Sequence, residues 1–191
     1  CGMVSQAMMN MVMTATPIAM IGCGFSVTES TLGIQWHVLA MYLPSFYTGN
    51  LIARFGKGPV AFVGLIILAG AGVMNHAGIA LFNFWSALIL LGVGWNLAFV
   101  AATTIVTDCH TPSERAKVQG FTDFSIFGLT TIASFMAGYL YSHFGWSAVN
   151  WSLIPVTVLA MLSLVAAGPL TRPPPRPLAP GWPKTAIHKS N

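Results

Sequence analysis

Six long apolar stretches, separated by short polar segments, run through the first 168 residues of the chain. They cover residues 3–22, 32–53, 58–75, 82–107, 118–141 and 147–168. A helix needs ~20 mostly apolar residues to cross the ~30 Å hydrocarbon core of a bilayer, and each stretch is close to or above that length. Strands of a membrane barrel would be ~10 residues long with strict alternation, a pattern that these stretches lack. The pattern therefore predicts an all-α membrane protein with six transmembrane helices.

The Lys and Arg residues all fall on one side of the zigzag that six spans would make. Two of the eight lie in the second turn, two in the fourth and the rest after the sixth span: Arg54, Lys57, Arg115, Lys117, Arg172, Arg176, Lys184 and Lys189. The first, third and fifth turns contain neither residue type. Because loops rich in Lys and Arg are retained in the cytoplasm, both ends of the six-span unit are predicted to be cytoplasmic.

The overall composition agrees with a lipid environment. Hydrophobic residues make up 55% of the chain and charged residues 6%, with a mean hydropathy of +0.72, whereas a soluble domain has about a quarter charged residues. The formal net charge is +4. Before the tail, however, the cations occur at most in pairs, one pair in each of two turns, and this placement is explained by membrane topology. We therefore expect the lipid bilayer, and not nucleic acid, to be a partner of this chain.

Both ends of the chain carry further predictions. The sequence begins with Cys1 directly at an apolar span and shows no signal-peptide features, so the chain is expected to be a fragment of a longer protein. Residues 169–191 are rich in proline, which favours an extended, poorly ordered segment. The predicted organisation is a transmembrane domain over residues 1–168, followed by a disordered cytoplasmic tail over residues 169–191.

The sequence contains no set of residues typical of an enzyme or a cofactor site. Cys1, Cys23 and Cys109 have no metal-binding spacing, and the histidines in the turns share none either. No nucleophile with its base, no carboxylate pair and no phosphate-binding loop lies at membrane depth. The sequence therefore predicts no enzymatic activity, no cofactor and no metal.

Polar side chains inside the spans are the candidate functional residues, since they are costly in lipid and tend to face a bundle interior or a cavity. Gln6, Asn10 and Thr14 are spaced by four residues and share one face of the first helix. Asn96 and Thr103 share a face of the fourth. These side chains either contact a solute or form hydrogen bonds between helices.

Two residues with rings extend this set. Trp95 precedes Asn96, and an indole beside an amide suits a planar or aromatic solute, with packing between helices as the alternative. His37 is expected near the outer end of the second span. There it either takes up protons, because imidazole titrates near neutrality, or is a solvated interfacial residue.

The turn between the second and third spans carries a motif. Residues 49–57 read GNLIARFGK and resemble the loop motif of the major facilitator superfamily, roughly G-x-L-a-D-r-x-G-r, except that Ala53 replaces the acid. The matching positions are Gly49, Leu51, Arg54, Gly56 and Lys57. Residues 112–120, PSERAKVQG, are similar to the superfamily's turn into the fifth span of a half. The segments at 13–17, 35–38 and 92–96 resemble the C-terminal half of bacterial members.

The resemblance implies the C-terminal six-helix half of a transporter that moves a small solute by alternating access, with the N-terminal half as its partner. Spans one, two, four and five would line the cavity. The implied substrate-cavity residues are Gln6, Asn10, Thr14, His37, Trp95, Asn96 and Thr103. A coupling proton or ion is a further expected partner, and a bacterial inner membrane is the expected location.

The resemblance also implies a cytoplasmic gate built from the second and fourth turns. Its candidate residues are Gly49, Arg54, Gly56, Lys57, Asp108, Glu114, Arg115 and Asp123. Because Ala53 replaces the acid of the motif, we expect at least one of the three acids in this set to contact Arg54 or Arg115. A membrane scaffold or sensor that does not transport, and whose tail recruits partners, is the alternative function.

Overall fold

The computed structural model describes residues 1–108, 110–111 and 113–168, which form helices joined by short turns. The helices are α1 (Gly2–Gly22), α2 (Val27–Tyr42), α3 (Ser45–Phe55), α4 (Lys57–His76), α5 (Leu81–Asp108) and α6 (Arg115–Ala166). No strand occurs within the described residues, which confirms the all-α fold class. Of the described helices, α4, α5 and α6 are each long and apolar enough to cross a membrane. The predicted tail at residues 169–191 lies outside the described residues.

The longest helix, α6, contains the predicted fifth and sixth spans in one element of 52 residues. It is interrupted at Gly145, whose φ of 76° and ψ of −175° are readily adopted only by glycine. Its two arms, residues 115–144 and 146–166, correspond to the last two predicted spans. Helix α1 packs against α6, and Ala133 and Ala137 of the first arm are buried, consistent with their small-residue spacing.

The second predicted span is two helices and not one. Helix α2 ends at Tyr42 and α3 begins at Ser45, because Pro44 has no N–H and its ring clashes with the carbonyl four residues earlier. Helix α2 also begins before the predicted span, since Ser26 and Glu29 form a capping box. The Glu29 N–H donates to Ser26 Oγ over 3.2 Å, and the Ser26 N–H donates to Glu29 Oε2 over 2.8 Å.

Helix α5 is central to the packing and contacts α1, α2, α3 and α4. Its approach to α4 is the closest. At Gly64 of α4 a Cβ atom would lie 2.4 Å from the Ala98 backbone nitrogen, and at Gly94 of α5 one would lie 2.7 Å from the Leu68 backbone nitrogen. Only glycine allows the two helix backbones to come so close. We call this contact the α4–α5 seam.

The outside of the bundle is covered with apolar side chains. The first arm of α6 exposes more than half of each of Phe121, Phe124, Phe127, Ile132 and Phe135. Soluble monomers rarely expose apolar patches of this extent. The surface therefore suits contact with lipid or with a further part of the protein.

Candidate functional site

The polar face of α1 meets α5 on one side and α6 on the other. The Gln6 amide oxygen accepts a 2.8 Å hydrogen bond from the Trp95 indole N–H, and the Asn10 amide nitrogen donates to the Ser134 hydroxyl. Thr14 is exposed, and its hydroxyl donates to the Asn10 carbonyl over 2.8 Å. Both amides thus join helices, yet both side chains remain partly exposed.

Trp95, Phe99 and Thr103 follow one another at four-residue spacing along α5, and Trp95 bonds α1. The rings of Trp95 and Phe99 are stacked, with centroids 5.0 Å apart and planes inclined by 14°. The Thr103 hydroxyl donates to the Val100 carbonyl over 2.9 Å, and all three side chains are partly exposed. Phe99 was missed by the sequence analysis, although its spacing of four residues from Trp95 was a usable signal. We call the following set the polar–aromatic strip: Gln6, Asn10, Thr14, Trp95, Phe99 and Thr103.

Asn96 follows Trp95 in the chain but faces a different neighbour, the break between α2 and α3. Its amide nitrogen donates to the Met41 carbonyl over 2.8 Å and to the Ser45 hydroxyl over 2.6 Å. Its amide oxygen accepts from the Thr48 hydroxyl over 2.6 Å. Both amide hydrogens are used within the protein and only 1% of the residue is exposed. The position supports hydrogen bonding between helices and gives no support to the predicted contact with a solute.

His37 is fully buried between α2 and α5, so the alternative of a solvated interfacial residue was wrong. Its Nδ1 atom lies 2.7 Å from the Leu88 carbonyl oxygen, and since a carbonyl only accepts, Nδ1 carries the hydrogen. Within the described residues, Nε2 has no hydrogen-bond partner. Helix α5 approaches through Gly92, where a Cβ would lie 2.7 Å from the His37 carbonyl oxygen. Because of this close packing, His37 is not part of the polar–aromatic strip.

Most of the predicted gate residues lie near the positions in the chain where α3 and α5 end and where α4 and α6 begin. Within the described residues, the ion pair in this region joins Lys57, the first residue of α4, to Asp108, the last residue of α5. Lys57 Nζ also lies 3.5 Å from the Thr104 carbonyl oxygen. The expected contact between an acid and Arg54 or Arg115 is not formed among these residues. Asp108 instead pairs with Lys57, which the predicted gate set also contains.

The turn at Gly56 explains why Asp108 pairs with Lys57 and not with Arg54. Gly56 has a φ of +90° and is the single residue between α3 and α4, so Lys57 begins a new helix beside the end of α5. Arg54 stays on the last turn of α3, exposed, with its guanidinium carbon 5.3 Å from the Phe55 ring centroid. Gly49 is also exposed on α3, and a Cβ there would meet no atom within 4 Å.

The other two acids of the gate set make local hydrogen bonds. Glu114 accepts from the Thr111 hydroxyl over 2.7 Å and from the Thr111 N–H over 3.3 Å. These bonds, with the hydroxyl bond the stronger cause, hold the pKa of Glu114 below its usual value. Asp123 accepts from the Gln119 side-chain amide over 2.9 Å, one turn earlier on α6. The two carboxylates therefore stabilise the turn and the start of α6.

Taken together, the apolar exterior, the charged helix ends and the polar–aromatic strip define a multi-pass helical membrane protein with a polar face. The family model of the Major Facilitator Superfamily matches residues 1–190. The chain belongs to this superfamily, which confirms the resemblance of the turn between the second and third spans.

Of three relatives with curated names, two are transporters by name. The chain is 51% identical over 164 residues to the riboflavin transporter RfnT of Brucella anthropi, covering 86% of this chain and 41% of that protein. It is 34% identical over 165 residues to the uncharacterized MFS-type transporter YddS of Bacillus subtilis, covering 81% and 37%. It is 22% identical over 154 residues to the multidrug resistance protein MdtL of Klebsiella pneumoniae, covering 81% and 39%. The chain thus spans about two fifths of the length of each of these relatives.

Proposed function

We propose that residues 1–168 form one six-helix half, the C-terminal one, of a secondary transporter that moves a small solute across a membrane by alternating access. The observation that carries this proposal is the polar–aromatic strip, which presents amide, hydroxyl and indole groups on a bundle with an apolar exterior. Such groups are costly in lipid and therefore favour a cavity. Membership of the superfamily and the names of the relatives support the proposal.

A second six-helix half is the proposed partner of this face. The chain covers 41% of the Brucella anthropi protein, and the rest of such a protein is long enough for another unit of this size. The first arm of α6 contacts the strip through the hydrogen bond between Asn10 and Ser134. The same arm exposes 76% of Phe124 and 77% of Phe135, and side chains of this kind suit packing against a second half.

The charged helix ends are proposed to form a cytoplasmic gate. Lys57 and Asp108 join α4 to α5 within this half. Arg54 and Arg115 are exposed, and the motif has lost its acid at Ala53. Acidic partners for the two arginines would then come from the second half, in one of the two states of the transport cycle.

For the solute we propose riboflavin or a compound with a related ring system. The relative named as a riboflavin transporter shares 51% identity over 164 residues, and the strip combines stacked rings with amides. The driving force is proposed to be a gradient of protons or another ion. The proposed location is a bacterial inner membrane, with both ends of the six-helix unit in the cytoplasm.

Uptake of riboflavin by vesicles that contain the full-length protein tests this proposal. We expect accumulation above that of protein-free vesicles, and a decrease of about tenfold for Asn10→Ala, since one lost hydrogen bond of ~1.4 kcal/mol changes binding tenfold. Asn83→Ala is the matched control, because Asn83 lies at the outer end of α5, outside the strip, and bonds the Met74 carbonyl over 3.3 Å. If neither uptake nor solute-dependent thermal stabilisation is found, the scaffold or sensor is the better account.

A further inference from the structure

The stacked pair of Trp95 and Phe99 differs from the other ring contacts in its surroundings. Its planes are inclined by only 14° and its centroids are 5.0 Å apart. Both rings are partly exposed, and the indole of Trp95 lies beside the amide of Gln6. A pair that served only to face lipid would gain nothing from an adjacent amide, which is costly to place in hydrocarbon. The pair therefore needs an explanation beyond packing.

Gln6 fixes the orientation of the larger ring. An indole has one N–H and no acceptor, and in Trp95 this N–H donates to Gln6 Oε1 over 2.8 Å. The bond ties the edge of the indole to α1, while the stack with Phe99 ties one of its faces to the next turn of α5. Two independent contacts thus define the plane of the ring before any ligand arrives.

The Gln6 amide also has a free donor side. Within the described residues, its Nε2 atom makes no hydrogen bond, whereas Oε1 is occupied by Trp95. The amide hydrogens are therefore available to a carbonyl oxygen or a ring nitrogen beside the stack. Asn10 lies one turn further along the same face of α1 and adds a second amide.

We infer that Trp95 and Phe99 form a stacking platform for a planar heteroaromatic ring with carbonyl or ring-nitrogen acceptors, and that Gln6 is the residue that positions the platform and determines specificity for such rings. This inference rests on the proposed function, because it assigns the solute class of the same strip. Flavins belong to this class, since their fused ring is flat and carries carbonyl oxygens at its edge.

Binding of riboflavin to the purified full-length protein in detergent tests the inference without requiring transport. Stacking on an indole quenches flavin fluorescence, so quenching reports the contact directly. We expect Trp95→Leu to abolish the quenching and to weaken binding about three- to tenfold, the size of an aromatic pair contact. Trp36→Leu is the matched control, because Trp36 is 48% exposed on α2 and should bind and quench like the wild type.

Two substitutions of Gln6 separate positioning from simple structural support. Gln6→Met keeps the length of the side chain and removes the acceptor, and we expect weaker binding with reduced quenching. Gln6→Glu keeps an acceptor for the indole N–H and should recover most of the quenching. Equal quenching in all three proteins would overturn the positioning role.

Competition distinguishes the ring from the chain of the ligand. Lumichrome, which has three fused rings and no ribityl chain, should displace riboflavin, whereas ribitol should not. Displacement by ribitol alone, or wild-type binding by Trp95→Leu, would overturn the platform.

Riboflavin uptake with unaltered binding in Trp95→Leu would refute this inference and leave the transporter intact. Binding that depends on Trp95 without uptake would refute the transporter and leave the platform intact. If the wild type neither binds nor transports riboflavin, both ideas fail.

Discussion

Replacing Asn96 by alanine tests whether this residue holds the break in the second span or contacts a solute. In the wild type the Asn96 side chain makes three hydrogen bonds to one short segment, namely to the Met41 carbonyl and to the hydroxyls of Ser45 and Thr48. The segment contains Pro44, which cannot donate a backbone hydrogen bond. The substitution removes all three bonds at once in a site that is 1% exposed.

The expected magnitude follows from the number of bonds and their environment. Hydrogen bonds between transmembrane helices average ~0.6 kcal/mol and reach ~1.7 kcal/mol, so three of them contribute about 2–5 kcal/mol. The upper part of this range applies if the Met41 carbonyl and the two hydroxyls find no new partners, because a buried orphan polar group costs ~1–3 kcal/mol. We expect Asn96→Ala to lower the free energy of unfolding by about 3 kcal/mol.

Equilibrium unfolding of the full-length protein in mixed detergent micelles measures this change. The control is Asn50→Ala, since Asn50 is exposed on α3 and such surface substitutions usually change stability by less than ~0.5 kcal/mol. The Asn96→Ala molecules that remain folded should transport the solute with the KM of the wild type. A variant with wild-type stability and a raised KM would refute the structural role and restore the predicted contact with a solute.

Three further predictions concern the seam and the charged end of the bundle. Gly64→Ala should destabilise the protein by ~1–3 kcal/mol through overpacking, whereas Gly70→Ala, whose Cβ would meet nothing within 4 Å, should be neutral or stabilising; thermal unfolding of both compares them, and equal loss would contradict the seam. A double-mutant cycle of Lys57→Gln and Asp108→Asn should give a coupling below ~1 kcal/mol that falls with added salt, because the Asp108 side chain is 55% exposed; a larger, salt-independent coupling would disprove this. The lowered pKa of Glu114 stabilises its turn above the ordinary glutamate pKa, and this contribution is lost as pH falls through the lowered value; proteolysis of the turn should speed up with acid, and Glu114→Gln should remove that dependence.

The sequence predicted the helices well because the bilayer sets the length and polarity of a span. It predicted the break poorly. Pro17 and Pro44 are both prolines inside predicted spans, yet α1 continues through Pro17 while the second span divides at Pro44. Proline removes the same hydrogen bond in both places, and the difference lies in the neighbours. At the second site Asn96 donates a hydrogen bond to the Met41 carbonyl, a long-range contact that local spacing does not encode.

The candidate site shows the same limit. Spacing placed Gln6 and Asn10 on one face of α1, and the structure has both at contacts between helices. Spacing did not reveal that Trp95 turns to Gln6 while Asn96 turns to α2 and α3. Likewise, the motif contains both Arg54 and Lys57, and spacing did not reveal that Lys57, which begins α4, is the one that meets Asp108. Which helix meets which face is decided by packing between distant segments.

The α4–α5 seam bears on how such a bundle would move. At Gly64 and Gly94 the two helix backbones are in direct contact with no side chain between them. Neither helix can therefore slide or rotate against the other without separating the two backbones. Close-packed interiors transmit displacement and do not absorb it. Helices α4 and α5 would therefore move as one rigid unit, with the Lys57–Asp108 ion pair at one end of that unit. A displacement of that end would be transmitted along α5 and would reach the backbone that carries Trp95 and Phe99.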